Sequence, residues 1–380
     1  MIRKIFNREF ILGFFALFAV ASVFHILIPT LPIYLSRLGS TEEEIGVLIG
    51  IFGFSSLVVR PFVGRALRRL PEKDFMMAGG LLHALTSVLY LFAPPFWPFL
   101  IVRTFQGIGF ASFHTASLTF AANISSGSHR GQSISYFVLS FSIAGALAPS
   151  LGVFLINRFS FNFLFLVCFG LSLGSFFITF LLGKKQAPVS QDSVKESRFF
   201  LTRNALPPSI LGGCAFMMWG AVSAFFPIYA IDQGVTNPGH FFATIAIVLI
   251  LGRAFGGRIV DVYPREKIIL PCLITYLIPP VILAFSGTQP MFLLAAVIWG
   301  IGHAFLMPAL VVYALEGAGS SAGPAMGTFH AMTDLGTCLG PAIMGVVLTL
   351  TGYRIMFLCC ALTAALNLGY FCFLVRKKSD

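Results

Sequence analysis

The feature that most constrains this chain is an apolar run of about 20 residues that recurs along its whole length, broken by short polar turns. A helix needs about 20 apolar residues to cross ~30 Å of hydrocarbon. Inside a bilayer every backbone N–H and C=O must be satisfied within the protein, which leaves helices or a closed barrel. The runs are continuous rather than alternating, so they specify helices. Composition agrees, since 57% hydrophobic and 10% charged residues cannot clothe a water-facing surface. The expected product is an all-α membrane protein with twelve spans in a lipid bilayer. The spans fall near 10–35, 44–66, 75–94, 97–121, 132–156, 161–183, 205–230, 239–260, 268–287, 290–315, 324–350 and 354–375.

The formal net charge of +11 has a topological cause. With both termini cytoplasmic, every Lys and Arg lies on the inner side except four. Arg37, Arg158 and Arg354 sit at outer turns, and Arg103 lies inside a span. That imbalance is the positive-inside rule. It sets an expected multi-pass location in a plasma membrane, the bacterial inner membrane, and no nucleic-acid partner is expected. All 7 Cys fall inside spans and none forms a Cys-x-x-Cys pair, so no disulfide framework, metal site or other cofactor is expected. Arg3, Lys4 and Arg8 before an apolar run, with Ala19-Val20-Ala21 beyond, imitate a signal peptide. Cleavage is rejected because the residues just after have a counterpart deep in the chain.

That counterpart belongs to an internal repeat. Arg60, Gly64 and Arg65 align with Arg253, Gly257 and Arg258, each 193 residues on. The same offset carries Gly107 and Gly109 onto Gly300 and Gly302. Pro32-Ile33-Tyr34 and Gly39 match Pro227-Ile228-Tyr229 and Gly234 at an offset of 195, and Pro149 matches Pro341 at 192. Each copy holds an even number of spans, so the two six-helix pseudo-repeats run parallel. The expected organisation is a bundle over residues 1–183, a polar cytoplasmic linker over 184–203 and a second bundle over 204–380. No water-soluble domain remains to house an enzyme.

These residues resemble the major facilitator superfamily over essentially the whole chain. The loop Arg60-Pro61-Phe62-Val63-Gly64-Arg65-Ala66-Leu67-Arg68-Arg69 resembles the family's Gly-x-x-x-Asp-Arg signature, with Arg68 where an acid is expected. The second copy, Gly257-Arg258-Ile259-Val260-Asp261, keeps the acid. Arg103-Thr104-Phe105-Gln106-Gly107-Ile108-Gly109 resembles the Arg-x-x-Gln-Gly-x-Gly signature of the fourth helix. Ala144 to Gly152 around Pro149, and Gly336 to Gly345 around Pro341, resemble a Gly-Pro motif of proton-coupled antiporters. The overall texture looks like that of small bacterial efflux-type members. The resemblance implies a twelve-helix fold working by alternating access, with the first, fourth, seventh and tenth helices lining the cavity.

Arg103 is the most informative single residue. A charge at membrane depth is costly, so it is kept where it meets water or a partner. Its repeat counterpart is Ala296, so the bundle does not need Arg there to pack. The bland alternative is an Arg that snorkels outward and braces the first helix; the favoured role is proton coupling or substrate contact. Gln106, one turn on, shares its side. Asp334 lies near the middle of the eleventh span with His330 four residues before it, on one helix face. Asp334 is either a proton-carrying acid or a group that caps or pairs with a neighbouring helix near the cytoplasmic gate. His25, His114 and His303 are further intramembrane polar groups for substrate or proton, or else satisfied packing groups. Trp219 and Trp299 offer rings for stacking. Arg60, Gly64, Arg65, Arg253, Gly257, Arg258 and Asp261 are expected to gate the inner side, pairing with acids such as Glu316 or with helix termini. Pro149 and Pro341 permit close packing and bending. Thr41 and Glu44 fit a capping box.

The resulting expectation is a secondary transporter, not an enzyme, that exports a small organic molecule in exchange for protons and functions as a monomer. One alternative is proton symport or facilitated uptake of an organic anion or metabolite. Another, of a different class, is a receptor or scaffold that has lost transport, for which Arg68 is the best support.

Overall fold

The computed structural model describes residues 7–67, 69–124, 130–183, 203–316 and 322–375. Side chains at 130–135, 204, 255–262, 322–324 and 374–375 are outside the described set. The architecture is all-α, with twelve membrane-spanning helices. In the first half they are α1 (Arg8–Arg37), α2 (Glu42–Ala66), α3 (Glu72–Leu89), α4 (Trp97–Ile124), α5 (Arg130–Arg158) and α6 (Phe161–Phe180). In the second half they are α7 (Leu206–Asp232), α8 (Gly239–Val262), α9 (Arg265–Phe285), α10 (Gln289–Glu316), α11 (Ala322–Thr351) and α12 (Tyr353–Tyr370). α1 runs unbroken through Ala19-Val20-Ala21. α3 stops at Leu89, short of the expected 94, because the chain turns through Leu91 and Phe92 before Pro94-Pro95. Among the described residues nine helices are long and apolar enough to cross a membrane by composition alone; α3 and α4, which carry the buried polar cluster described below, are not among them.

Helix ends follow local chemistry. Thr41 and Glu44 form the expected capping box on α2, Glu44 N–H donating to Thr41 Oγ1 at 3.3 Å and Thr41 N–H to Glu44 Oε2 at 3.0 Å. Ser160 caps α6 by accepting from Phe163 N–H. α1 and α7 end alike: Gly39 and Gly234 take φ of 83° and 81°, where a side chain would strain. The following Ser40 and Val235 N–H groups reach back to the Leu35 and Ala230 carbonyls, closing the helix in a Schellman motif.

The repeat offsets reappear as contacts inside each half. Gly107 presents a bare Cα to α2, where an added Cβ would lie 2.5 Å from the Phe52 carbonyl; Gly300 does the same 3.1 Å from Ile245 O on α8. Tyr34 packs on Phe99 and Phe165, and Tyr229 on Phe292 and Phe357. Ser175 Oγ donates to Ala16 O, and Asn367 Nδ2 to Leu211 O. Each pair is separated from its twin by the same 195, 193 or 192 residues.

Contacts divide the chain into two compact units, Met1–Tyr34 with Ile51–Ser193, and Leu35–Gly50 with Val194–Asp380. The segment 35–50 joins the second unit because Gly46 and Gly50 bring their backbones against Pro341 and Cys338 of α11. In the first unit a phenylalanine-rich core spans α1, α2, α4 and α5. Lys73 at the start of α3 donates to the Phe180 carbonyl at 2.6 Å, and Glu9 accepts from Gly183 N–H, so the last turn of α6 is tied to α1 and α3. In the second unit α7 and α11 pack closest, small residues facing each other: an added Cβ at Gly220 would lie 2.7 Å from Thr337 O.

Candidate functional site

The first unit holds its charge in a defined network. Arg103, six residues into α4, is 7% exposed, and its Nη1 donates to Gln106 Oε1 at 2.6 Å. The same oxygen accepts from Tyr90 Oη, also at 2.6 Å. The guanidinium lies 4.8 Å from the Phe52 ring centroid, a cation–π stack in a desolvated place. Tyr90 is itself wedged against Phe99 and Phe165. Arg103 and Gln106 thus meet as the spacing implied, while Tyr90 on α3 went unnoticed in the sequence. So did His83, two turns before Tyr90 and fully buried. Its signal was available: at the offset of 193 it matches Tyr276, another polar ring in an apolar helix.

Next to this network lies a wall of rings. His25 Nδ1 donates to Ala21 O at 2.8 Å, which fixes its tautomer and leaves Nε2 as an acceptor. The His25 ring stands edge-on to Phe141, with centroids 4.7 Å apart. His114 stacks on Phe110 at 5.3 Å and meets Phe141 at 5.5 Å. Phe24 joins Phe52, Phe110 and Phe141. α1, α2, α4 and α5 therefore combine two half-buried imidazoles, several apolar rings and one guanidinium. Such a set of groups is chemically suited to planar or apolar groups by stacking and to anionic or acceptor groups by hydrogen bonds.

The second unit places its candidates differently. His303 Nδ1 is hydrogen-bonded to Tyr276 Oη across α9 and α10. Trp299 is 1% exposed and packs against Tyr276 and Trp219, so it is a packing ring rather than a surface for stacking. Trp219 is half-buried and also meets Phe242. Asp334 is half-buried and His330 is exposed, so sharing a face of α11 gives them different surroundings.

The expected gate residues occupy varied surroundings. Arg60 donates to Ser56 Oγ at 3.3 Å, and Gly64, Arg65 and Arg253 are exposed. Gly257, Arg258 and Asp261 lie in α8, where side chains are outside the described set, and Arg68 is outside the described residues. Glu316 forms its ion pair with Arg265, which also lies 4.1 Å over the Tyr313 ring; Arg265 was not among the expected partners. Pro341 abuts Gly220, and near Pro149 the bare Gly152 faces Ile26 O. Pro341 thus sits at a close helix contact, and Pro149 lies one turn from one.

The Major Facilitator Superfamily family model matches residues 13–323 and 239–380. The chain is similar to the staphylopine export protein of Staphylococcus aureus, with 25% identity over 94% of this chain and 92% of the relative. It is similar to multidrug resistance protein 2 of Bacillus subtilis, at 24% identity over 93% and 92%. A quinolone resistance protein, NorA of Staphylococcus aureus, matches at 22% over 90% of each chain. Among solved structures, the nucleoside transporter NupG superposes with a TM-score of 0.79 at 14% identity, covering 96% of this chain and 98% of that one. A POT family transporter superposes with a TM-score of 0.81 at 13% identity, covering 98% and 97%. These two likenesses concern the fold alone. With twelve spans, a doubled six-helix plan and a family match across the chain, this protein belongs to the Major Facilitator Superfamily and is a multi-pass membrane transporter of small molecules, not an enzyme.

Proposed function

We propose that the chain exports a small organic molecule in exchange for protons, by alternating access, across a bacterial inner membrane with both termini cytoplasmic. The observation that carries this reading is the buried Arg103–Gln106–Tyr90 network beside the ring wall of the first unit. Desolvation makes that charge costly, and it is absent from the matching position in the second half, so its place reflects use rather than packing. Support for export comes from relatives named for staphylopine export and drug resistance. Asp334 is the proton carrier in this scheme. A proton bound there biases one state only through its different affinity for the two states. Arg60, Arg65, Arg253, Arg258 and Asp261 gate the basic side, and one chain suffices as a monomer.

The test is a pH jump on proteoliposomes holding a panel of solutes. An imposed proton gradient is expected to drive at least one solute, and Asp334→Asn to remove that dependence. Equal movement with and without a gradient, unchanged in Asp334→Asn, rejects the coupling. A second reading, uptake of an organic anion by symport, is favoured by the cationic and imidazole groups of the first unit. Counterflow direction separates the two.

A further inference from the structure

Where α3 meets α4 and α6, the first unit buries polar atoms that no protein group satisfies. His83 has no solvent exposure, and neither ring nitrogen has a hydrogen-bond partner. Gln106 Nε2 and Ser172 Oγ are buried and unpartnered as well. A neutral imidazole presents one N–H and one acceptor, so it is never satisfied alone. Buried polar groups in folded proteins are, as a rule, hydrogen-bonded.

Helix register brings these groups to one level. Between α3 and α4, Tyr90 packs on Phe99 and His83 meets Phe110, so Gln106 lies between the levels of Tyr90 and His83, and the Tyr90 hydroxyl reaches along the seam to it. Between α3 and α6, Tyr90 meets Phe165 and Gly80 faces Phe176, which sets Ser172 opposite His83. Ser172 also departs from local custom. Ser22, Thr30, Ser55 and Ser140 each return their hydroxyl to a carbonyl three or four residues back, the cheapest partner inside a span. Ser172 does not.

The second unit shows that the bundle packs without this polar set. At the repeat offsets, His83 becomes Tyr276, Gln106 becomes Trp299 and Ser172 becomes Ala364. There the place is filled by an indole and a small side chain, and Tyr276 bonds directly to His303.

We propose that His83, Ser172 and the Gln106 amide nitrogen hold one internal water where α3, α4 and α6 meet, and that this water fixes Gln106 for Arg103. Water is the occupant because the three groups are 1% exposed or less, which leaves no entry for a larger molecule, and because they offer the roughly three hydrogen bonds that a buried water makes. The Gln106 oxygen is engaged by Arg103 and Tyr90, so its nitrogen needs an acceptor. A water bridging to His83 supplies one. It also opposes a flip that would turn the amide NH2 toward the guanidinium. His83 is therefore a positioning residue for Arg103; that last step rests on the role proposed above for Arg103, whereas the water site does not.

A structure of the unsubstituted chain in lipid, at a resolution that shows ordered water, tests the site without any variant. Water within hydrogen-bond distance of His83 and Gln106 Nε2 is expected; a dry seam, or direct protein bonds to both ring nitrogens, overturns it. The positioning step is read from the guanidinium 15N signal of Arg103 in arginine-labelled protein in nanodiscs, assigned by its loss in Arg103→Lys. His83→Leu is expected to shift that signal, and His83→Gln, which keeps a donor and an acceptor, to restore it. A signal unmoved in folded His83→Leu sinks the positioning role. Neither measurement uses a substrate, so failure here is distinct from failure of proton-coupled export.

Discussion

The α3–α4 pair of the first half and the α9–α10 pair of the second share one frame and fill it differently. Gly107 and Gly109 in α4, and Gly300 and Gly302 in α10, let each helix approach its neighbours at matching points. Between those points the chemistry diverges. The first half sets Arg103, Gln106 and Tyr90 in a charged network, with His83 behind it. The second has Ala296 and Trp299 at the first two positions, and a direct Tyr276–His303 bond. Even the imidazole changes sides, from α3 in the first half to α10 in the second. The shared glycines state what packing requires; the divergent residues state what it does not, and the proposed transport role is placed at them.

The sharpest way to break this comparison is to remove the charge. Arg103→Leu deletes the donor that holds the Gln106 oxygen within α4, and loss of a charged hydrogen bond costs about 1.5–3 kcal/mol, or roughly 10- to 150-fold in transport rate. Ala296→Leu in the second half overpacks a fully buried position, so it is expected to cost about 1–3 kcal/mol of stability while the rate per folded molecule stays within about twofold. Arg103→Lys is expected to rescue little, since an ammonium lacks the planar fork that both stacks on Phe52 and reaches Gln106. Initial rates in proteoliposomes check all three. Equal losses in Arg103→Leu and Ala296→Leu would mean that the halves share the work.

A smaller effect tests the frame. Gly79 of α3 faces α4 so closely that an added Cβ would lie 2.6 Å from Gly109 O and 2.8 Å from Phe113 N, both backbone atoms. Gly79→Ala must therefore push the helices apart, at about 1–3 kcal/mol. Its repeat counterpart is Cys272, buried in α9, so the second pair already tolerates a side chain there. Cys272→Ala removes one atom and is expected to cost about 1 kcal/mol or less. Thermal melts of the purified protein separate the two; a larger drop for Cys272→Ala contradicts the closer spacing of α3 and α4.

Much of this was legible in the sequence because it rests on length and repetition. The spans announced themselves through apolar runs that must be helical in lipid. The offsets of 195, 193 and 192 resurfaced as twin contacts, from the Gly39 and Gly234 turns to Ser175 and Asn367. Arg103 with Gln106 was legible because one turn separates them on one helix. What escaped lies across helices. Tyr90 and His83 join the cluster through the pairing of α3 with α4, and no local spacing encodes which residues of two helices stand level. Trp299 looked available for stacking, yet its burial depends on Trp219 and Tyr276 from two other helices. Glu316 looked like a partner for the loop arginines, and the start of α9 supplied Arg265 instead.

That last pair gives the finest test of how the halves differ. Its counterpart at the base of α3 and α4 is Glu72 with Asn123, matched at the same offset of 193, so the acid has moved from α3 to α10. Glu72 is 3% exposed and accepts from Asn123 Nδ2, whereas Arg265 and Glu316 have side chains 28% and 49% exposed. An exposed ion pair contributes about 0–1 kcal/mol and weakens as salt screens it. A buried hydrogen bond to a charged group is worth about 1.5–3 kcal/mol, and leaving Asn123 without its partner adds a desolvation cost. Glu72→Ala is therefore expected to lower the melting temperature more than Glu316→Ala. Raising salt from about 0.05 to 0.5 M, which shortens the Debye length from beyond 10 Å toward a few ångströms, should shrink the Glu316→Ala difference and leave that of Glu72→Ala nearly unchanged. If both differences shrink alike, the two bases share one electrostatic environment and the asymmetry between the halves is confined to the Arg103 level.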